Sequence, residues 1–292
     1  MDWALHGQRW PHHDKSRFVR SAGRRWHVQQ WAAPTPQAPQ LVLLHGTGAS
    51  THSWRGLAPL LARHAGVLAI DLPGHGFSDA APGPAVTLPG MANSLRQLLQ
   101  ELALRPSLLV GHSAGAAIAV RMALDQPGLC AAIVSLNGAL LPLHGLAGQL
   151  FSPLAKLLAA HRLVPQLFSW RAADPKLVRR LIAGTGSRLD EEGLALYGQL
   201  VADTAHVAGA LAMMANWDLR PLAAELPRLR TPLHLLVAEL DRTVPPGHSQ
   251  QVARLVPGST LTMLPGLGHL AHEEQPQQLL AQMRPWIVAP AG

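Results

Sequence analysis

The amino-acid sequence is poor in cysteine, in long apolar runs and in clusters of metal-binding side chains. Its 292 residues include one cysteine, Cys130, which excludes an internal disulfide and fits a reducing compartment. No run reaches the ~18 apolar residues that a membrane-spanning helix needs. The start of the chain lacks the apolar core of a signal peptide, and no Cys/His group has metal-ligand spacing. These absences predict a cytoplasmic protein without a metal or a cofactor.

Positive charge is concentrated at the start of the chain. The formal net charge is +7 at pH 7, and residues 1–31 carry six arginines or lysines against two aspartates. Four of the eight tryptophans lie in the same stretch, whose pattern indicates a β-hairpin. A nucleic-acid partner is disfavoured because no nucleic-acid-binding motif accompanies these charges. An acidic protein or an anionic membrane surface fits better, so peripheral contact with the inner membrane is an alternative to a purely cytoplasmic location.

Residues 111–115 read Gly-His-Ser-Ala-Gly and stand between a predicted buried strand at 107–110 and an alanine-rich predicted helix. A strand, a Gly-x-Ser-x-Gly and a helix in this order form the nucleophile elbow of α/β-hydrolases, a sharp turn that exposes a serine. Gly111 and Gly115 are needed because side chains there would collide with the adjacent strand and helix. Ser113 is therefore the predicted nucleophile.

An acid and then a histidine follow the serine, which is the order found in this fold. Asp241 lies just past a predicted strand and is preferred as the acid over Glu239, which is nearer the strand. His269 lies in a glycine-rich loop after the next predicted strand and is the predicted base. His272 is interpreted as a surface or helix-capping histidine. In these roles His269 takes the proton of Ser113, and Asp241 orients and stabilises the imidazole.

A glycine-rich turn after another predicted strand supplies the fourth component of the site. In α/β-hydrolases this turn and the residue after the nucleophile each give one backbone N–H to an oxyanion hole. The predicted donors are Thr47 and Ala114, each worth roughly 3–4 kcal/mol. His45 is expected to support the turn. Asp71 is interpreted as part of a structural loop near the site, and Asn137 cannot carry the charge of a catalytic acid.

Strand-like and helix-like segments alternate in two parts of the chain, which predicts a mostly parallel sheet flanked by helices. The apolar runs are continuous rather than alternating, as expected for strands that are covered on both faces. The predicted strands are 26–31, 40–45, 66–71, 107–111, 131–136, 233–238 and 260–264. The predicted helices are 53–63, 88–103, 114–126, 247–256 and 275–288. Together with the elbow, this order predicts the α/β-hydrolase fold.

The segment between the predicted strands at 131–136 and 233–238 has a different pattern, with helical stretches and no good strand. The helical stretches are Leu146–Leu158, Pro175–Ala183, Glu191–Val201 and Ala205–Asn216. We therefore predict a core of residues 1–137 and 228–292, with a helical cap inserted at 138–227. The apolar segment 140–158 is interpreted as a lid that lines a pocket, with a peripheral membrane contact as the alternative.

Several segments carry a more specific resemblance. They are Leu44–Arg55, Asp71–Phe77, Val110–Ala116 and Ile133–Ala139 in the predicted core, and Gly145–Leu154, Gly184–Leu189 and Ala208–Pro221 in the predicted cap. The chain thereby resembles, over nearly its whole length, the magnesium-chelatase accessory proteins of bacteriochlorophyll biosynthesis, a branch of the α/β-hydrolases. The cap segments discriminate best, because caps vary between branches. The resemblance implies a role near magnesium insertion into protoporphyrin, with chelatase subunits as candidate partners.

Metal insertion requires no attack on a carbonyl, so three functions are carried forward. The first is a serine hydrolase that acts in this pathway on an ester or thioester, with a small apolar or tetrapyrrole-type substrate. The second is a tetrapyrrole-binding or chelatase-partner protein without catalysis, which the complete triad disfavours. The third is a general carboxylesterase, which the cap segments disfavour. Arginines that could pair with propionates, or simply be solvated, are Arg171, Arg179, Arg180 and Arg188.

Overall fold

The computed structural model describes residues 1–81, 83–142, 165–166 and 174–288. Within them, a sheet of eight strands has the order β1-β2-β4-β3-β5-β6-β7-β8. Strand β2 is antiparallel to β1 and β4, and all pairs from β4 to β8 are parallel. The strands are β1 Ser16–Ser21, β2 Arg24–Trp31, β3 Gln40–Leu44, β4 Gly66–Ile70, β5 Leu108–His112, β6 Ala132–Leu136, β7 Leu233–Ala238 and β8 Thr260–Leu264. The predicted mostly parallel α/β fold is confirmed.

Strand β3 shows why these sequences form central strands. Leu41 and Leu43 belong to one hydrophobic core, and Val42 and Leu44 belong to the other, because successive side chains point to opposite faces of a strand. All four are fully buried. Complete burial of each such side chain stabilises the fold by roughly 1.5–3 kcal/mol. A continuous apolar run is therefore the sequence that two covered faces require.

Helices cover both faces of the sheet. They are α1 Trp3–His6, α2 Ala58–Leu61, α3 Leu88–Glu101, α4 Ala114–Asp125, α5 Pro175–Gly184, α6 Glu191–Ala202, α7 Thr204–Ala215, α8 Arg220–Glu225, α9 Pro246–Leu255, α10 Ala271–Glu274 and α11 Pro276–Val288. Helices α3 and α4 pack in one core, and α2 and α11 pack in the other. Thr87 begins α3 by accepting a hydrogen bond from the Gly90 N–H at 3.2 Å.

The predicted helix at 53–63 is wrong in its extent. The chain instead forms a 3-10 turn at Thr51–Trp54 and then the single α-helical turn of α2. Gly56 separates the two, and Pro59 lies at the second position of α2, where its missing N–H costs no hydrogen bond. Proline in the middle of one long helix would remove such a bond.

Helices α5 to α8 occupy the described part of the segment between β6 and β7, where no strand occurs. Three of them lie within one residue of the predicted stretches, and α8 was not predicted. The predicted helix at Leu146–Leu158 lies outside the described residues, as does Arg171. The division into a core of 1–137 and 228–292 and a cap at 138–227 stays a prediction.

The tryptophans near the start of the chain pack inward, whereas three of the five arginines there, Arg9, Arg17 and Arg20, are exposed. Trp10 and Trp26 are at most 1% exposed. Trp3 contacts Phe77 edge to face, with ring centroids 4.8 Å apart. Arg17 and Arg20 on β1 are exposed. This aromatic layer explains why a basic segment forms part of the sheet.

Candidate active site

Ser113 lies in a strained turn between β5 and α4. Its φ of 51° and ψ of −115° fall outside the regions that a serine ordinarily adopts. A side chain at Gly111 would overlap the backbone of Ala116, and one at Gly115 would overlap the Leu44 carbonyl. The Ser113 N–H donates to the Leu136 carbonyl at 3.0 Å. These contacts impose the sharp turn that the sequence predicts.

Asp241 and His269 lie together although 28 residues separate them. The Asp241 Oδ2 is 2.7 Å from the His269 Nδ1, and each residue is 5% exposed. Oδ1 of Asp241 accepts hydrogen bonds from the backbone N–H groups of Thr243 and Val244, at 2.8 and 2.9 Å. Since an ionised carboxylate only accepts, this bond places the imidazole proton on Nδ1. The His269 Nε2 is then left with the lone pair that a general base uses.

Glu239 has a different partner. Its Oε2 accepts a hydrogen bond from the Gly266 N–H at 3.0 Å, and its side chain is exposed. Of the two acids after β7, only Asp241 is bonded to His269. The Ser113 hydroxyl makes no hydrogen bond within the described residues. Such a hydroxyl is common in a site without substrate, because catalytic hydrogen bonds often tighten only when substrate binds.

Asn137 fastens the loop that carries His269. Its Nδ2 donates to the carbonyls of Gly268 and His269 at 3.2 and 2.8 Å, and its Oδ1 accepts from the Ala238 N–H at 2.7 Å. The His112 Nε2 also donates to the His269 carbonyl, at 2.9 Å. This role was not predicted from the sequence, where Asn137 was considered only as a residue that cannot carry the charge of a catalytic acid. The feature that could have indicated it is the asparagine side chain, whose amide offers both a donor and an acceptor. Asparagine also tolerates the left-handed φ of 47° found here.

His272 is buried, so its interpretation as a surface or capping residue is wrong. Helix α10 turns its ring inward, with ring centroids 4.7 Å from Trp54 and 4.5 Å from His112. Neither ring nitrogen has a hydrogen-bond partner in the described chain. Burial, together with a smaller contribution from the neighbouring His269, lowers the pKa of His272 to about 3. The residue is a neutral packing group at ordinary pH.

The turn at residues 46–49 lies beside Ser113. It is closed by a hydrogen bond from the Ala49 N–H to the Gly46 carbonyl at 3.2 Å, and the φ of Gly48 is +78°. A Cβ added to Gly46 would lie 3.0 Å from the Ser113 Cβ. Thr47, the next residue, is therefore close to the elbow. Ala114 is the first residue of α4, where backbone N–H groups have no partner within the helix.

His45 supports this turn, as expected. Its Nδ1 donates to the Gly46 carbonyl at 2.8 Å, and its Nε2 accepts from the Leu72 N–H at 2.9 Å. The two bonds join the turn after β3 to the loop after β4. Burial lowers the pKa of His45, which favours this neutral form. Both nitrogens are thus used in holding backbone, and none is left for chemistry.

The segment that contains helices α5 to α8 is joined to the loop that carries His269 by backbone contacts. The Thr185 carbonyl, at the end of α5, accepts from the N–H groups of both Arg242 and His269, at 3.1 and 3.3 Å. A side chain at Gly268 would overlap the Gly186 backbone. The end of α5 therefore lies against both loops that carry the Asp–His pair.

An ion-pair network that is buried except at Asp190 makes a second junction. Arg55 contacts Glu273 on α10 and Asp190 at the start of α6, each at 2.7 Å. The Tyr197 hydroxyl on α6 donates to Glu273 at 2.8 Å. Burial raises the pKa of Glu273 to about 7, although Arg55 and Tyr197 lower it. These contacts hold α6 and α10 to the segment that precedes α2, where Arg55 lies.

Three of the four arginines that could pair with propionates lie in the described ranges. Arg179, Arg180 and Arg188 are exposed, and Arg179 pairs with Glu191 at 2.9 Å. No group of histidine, cysteine or acidic residues suited to a metal ion occurs in the described chain. No helix in the described ranges is long and apolar enough to cross a bilayer.

Comparison with known proteins agrees with this architecture. A model of the alpha/beta hydrolase fold family matches residues 39–276. The chain belongs to the α/β-hydrolase family. Within that family, the magnesium-chelatase 30 kDa subunit of Rhodobacter capsulatus is 38% identical over 280 residues, covering 95% of this chain and 96% of that protein. The resemblance that the sequence predicts is confirmed.

Two further similar proteins share less identity with this chain. The sn-1-specific diacylglycerol lipase ABHD11 of Mus musculus is 27% identical over 257 residues, covering 83% of this chain and 78% of that protein. Among solved structures, an alpha/beta hydrolase fold protein from Burkholderia ambifaria has a TM-score of 0.76 and 25% identity. It covers 92% of this chain and 97% of that one. The family thus includes proteins whose names denote hydrolysis and one whose name denotes a chelatase.

Proposed function

We propose that the protein is a serine hydrolase of the ester or thioester class that serves bacteriochlorophyll biosynthesis near the magnesium-chelatase step. The observation that carries the chemical half is the 2.7 Å Asp241–His269 bond beside the strained turn of Ser113. The pathway half is supported by the 38% identity to a protein named as a magnesium-chelatase subunit. Its substrate is a small apolar or tetrapyrrole-type ester.

In the proposed reaction the Ser113 Oγ attacks the carbonyl carbon of the substrate while its proton passes to the His269 Nε2. Asp241 stabilises the imidazolium that forms. The backbone N–H groups of Thr47 and Ala114 bind the negative oxygen of the tetrahedral intermediate. The intermediate collapses when His269 gives its proton to the departing alcohol or thiol. A water molecule then hydrolyses the acyl-enzyme by the same route and frees Ser113.

The test compares wild type with Ser113→Ala, using p-nitrophenyl butyrate hydrolysis and covalent labelling by a fluorophosphonate. Ser259→Ala is a matched control, because Ser259 is half-buried before β8 and donates only to the carbonyls of Ala253 and Val256. We expect hydrolysis and labelling in wild type and in the control, and neither in Ser113→Ala. Equal hydrolysis by wild type and Ser113→Ala would refute the serine mechanism.

A second function has one observation in its favour. The relative from Rhodobacter capsulatus is named as a chelatase subunit, and metal insertion breaks no carbonyl bond. The alternative is therefore a non-catalytic tetrapyrrole-binding or chelatase-partner protein. The two functions are separated by expressing wild type or Ser113→Ala in a Rhodobacter capsulatus strain that lacks this relative. Restored pigment with wild type alone supports the hydrolase, whereas equal restoration by both supports the binding protein.

A further inference from the structure

Helix α7 touches the loop after β4 with almost no space between the two backbones. A Cβ added to Gly209 would overlap the Gly74 carbonyl, and one added to Gly74 would lie 3.0 Å from the Gly209 Cα. Only glycine at both positions permits so close an approach. The helix is therefore held at a fixed height above the loops at the carboxyl end of the sheet.

His206, one turn earlier on α7, joins two of these loops. The Gly76 N–H donates to the His206 Nδ1 at 3.0 Å, and the His206 Nε2 lies 3.1 Å from the Gly48 carbonyl. Since an amide can only donate, Nδ1 carries no proton, so the neutral ring carries its proton on Nε2 and donates it to Gly48. The ring is 2% exposed, and burial lowers its pKa to about 4. The same tautomer therefore persists at neutral pH.

The carbonyl that His206 holds belongs to the turn of the oxyanion hole. Gly48 directly follows Thr47, whose N–H is a proposed oxyanion donor. The Thr47 hydroxyl also contacts the Met213 Sδ at 3.4 Å. Residues 206 and 213 lie seven apart, or about two turns, and so share one face of α7. One face of α7 thus contacts both a backbone carbonyl of the turn, at Gly48, and a side chain of the turn, at Thr47.

We propose that His206 is a positioning residue that sets the oxyanion-hole turn and makes its geometry depend on where helix α7 sits. This inference rests on the proposed hydrolase function. When α7 is in place, His206 holds the Gly48–Ala49 peptide, whose N–H bonds the Gly46 carbonyl and so fixes the Gly46–Thr47 peptide that carries the Thr47 N–H. When α7 lifts, the turn loses that bond, and the Thr47 N–H moves away from the developing oxyanion. The effect falls on the transition state, so kcat changes and KM is nearly constant.

The two ends of the ring can be tested separately. Gln at position 206 offers an N–H donor near the place of Nε2 and keeps the Gly48 bond, whereas Asn offers an acceptor near the place of Nδ1 and keeps the Gly76 bond. We expect His206→Asn and His206→Ala to lower kcat for p-nitrophenyl butyrate about 10–100-fold, with KM within about threefold. We expect His206→Gln to retain most of kcat. Equal kcat in all variants, or a loss in KM alone, would overturn the proposal.

A matched pair of glycine variants tests the height of the helix. Gly209→Ala must lift α7 from Gly74, whereas Gly198→Ala adds a methyl group on α6 where no atom lies within 4 Å. We expect kcat to fall about tenfold or more in the first and to stay within twofold in the second. An unchanged kcat in Gly209→Ala would contradict the coupling.

A readout without catalysis separates this inference from the proposed function. Hydrogen exchange of the Ala49 amide, which closes the turn, should accelerate in His206→Ala and Gly209→Ala relative to Gly198→Ala. Faster exchange in these two variants, found together with a wild type that hydrolyses no ester, would reject the hydrolase and retain the control of the turn by α7. Unchanged exchange together with normal hydrolysis would reject the role of His206 and leave the hydrolase intact.

Discussion

The molecule contains two Asp–His pairs that have the same hydrogen-bond length but lie in different surroundings. In each, an Asp Oδ2 lies 2.7 Å from a His Nδ1, as Asp241 does from His269 and Asp71 does from His27. Each aspartate also accepts two backbone N–H groups. The second pair even extends to a serine, because the His27 Nε2 is 3.0 Å from the Ser16 Oγ. As a chain of hydrogen bonds, it is more complete than the first.

What differs is the surroundings of each serine. Ser16 opens the edge strand β1 with an ordinary extended backbone, φ −78° and ψ 137°, and no helix begins behind it. Its histidine is fully buried against the rings of Trp3, Phe18 and Phe77, with centroids 5.1–5.4 Å apart. Ser113 has a strained backbone, a helix N-terminus and the adjacent turn at 46–49. The elbow and its proposed N–H donors, more than the Asp–His bond, therefore distinguish the proposed nucleophile from Ser16.

The largest expected difference between the two lines of side chains, Ser113–His269–Asp241 and Ser16–His27–Asp71, is in turnover. Ser113→Ala should lower kcat for p-nitrophenyl butyrate by roughly 10⁶-fold, because nothing else in the site can form the acyl-enzyme. Ser16→Ala should leave kcat within twofold, because its hydroxyl contacts only His27 and Gln29. Steady-state kinetics on both variants measure this ratio. A large loss in Ser16→Ala would show that the second line takes part in catalysis.

Next in size is the contrast between the two acids. Asp241→Asn should lower kcat roughly 10⁴-fold through loss of the correct tautomer of His269. Asp71→Asn should instead lower the free energy of unfolding by about 2–3 kcal/mol, since it removes charged hydrogen bonds from a fully buried site. Urea denaturation followed by tryptophan fluorescence, run beside the kinetics, checks both. If the two variants lost activity and stability in equal measure, the distinction between the pairs would fail.

Acid is expected to change the free energy of unfolding without any change of sequence. Around Asp71, burial lowers the pKa values of His45, His52, His75 and His206, that of His206 to about 4. The unfolded chain binds protons near pH 6.5 and the folded chain does not, so unfolding should become easier as pH falls from 6.5 towards 4. Each such histidine contributes up to about 1.4 kcal/mol per pH unit.

Urea unfolding at pH 7.5, 6.5, 5.5 and 4.5 measures this slope. His206→Gln removes one titrating group and should make the slope shallower by up to about 1.4 kcal/mol per pH unit. An identical slope in this variant would mean that His206 is not held neutral in the folded protein.

The smallest effect is expected at the rival acid. Glu239→Gln should leave kcat within twofold and change the free energy of unfolding by less than about 0.5 kcal/mol, because the side chain is exposed and holds only Gly266. The same kinetic and urea measurements apply. A strong loss of activity would reopen the choice between Glu239 and Asp241 as partner of His269.

Chain order predicted the residues of the candidate site better than it predicted what supports them. Ser113, Asp241 and His269 each follow a recognisable strand, so a linear pattern places them at one edge of the sheet. The bonds from Asn137 to the His269 carbonyl and from His206 to Gly48 join segments more than 100 residues apart. Such contacts depend on strand register and helix height, which no local pattern carries. Likewise, the Ser16–His27–Asp71 line exists only once β1 pairs with β2 and β2 pairs with β4.

The continuous apolar runs predicted the parallel strands well because covering both faces leaves little choice of residue. The helix predicted at 53–63 failed for a local reason, the Gly56 and Pro59 that break the hydrogen-bond ladder. The prediction for His272 was wrong for a tertiary reason, because its ring packs inward against Trp54.

The lone thiol of Cys130 offers a practical handle. It is 8% exposed, and burial raises its pKa to about 12, so it stays protonated and slow to alkylate at neutral pH. A cysteine introduced on the exposed Leu181 position of α5 would then be the one thiol that a maleimide dye modifies quickly. The wild-type protein therefore needs no removal of cysteine before site-specific labelling. Motions of α5 can be followed by fluorescence in a Leu181→Cys variant without changing any other residue.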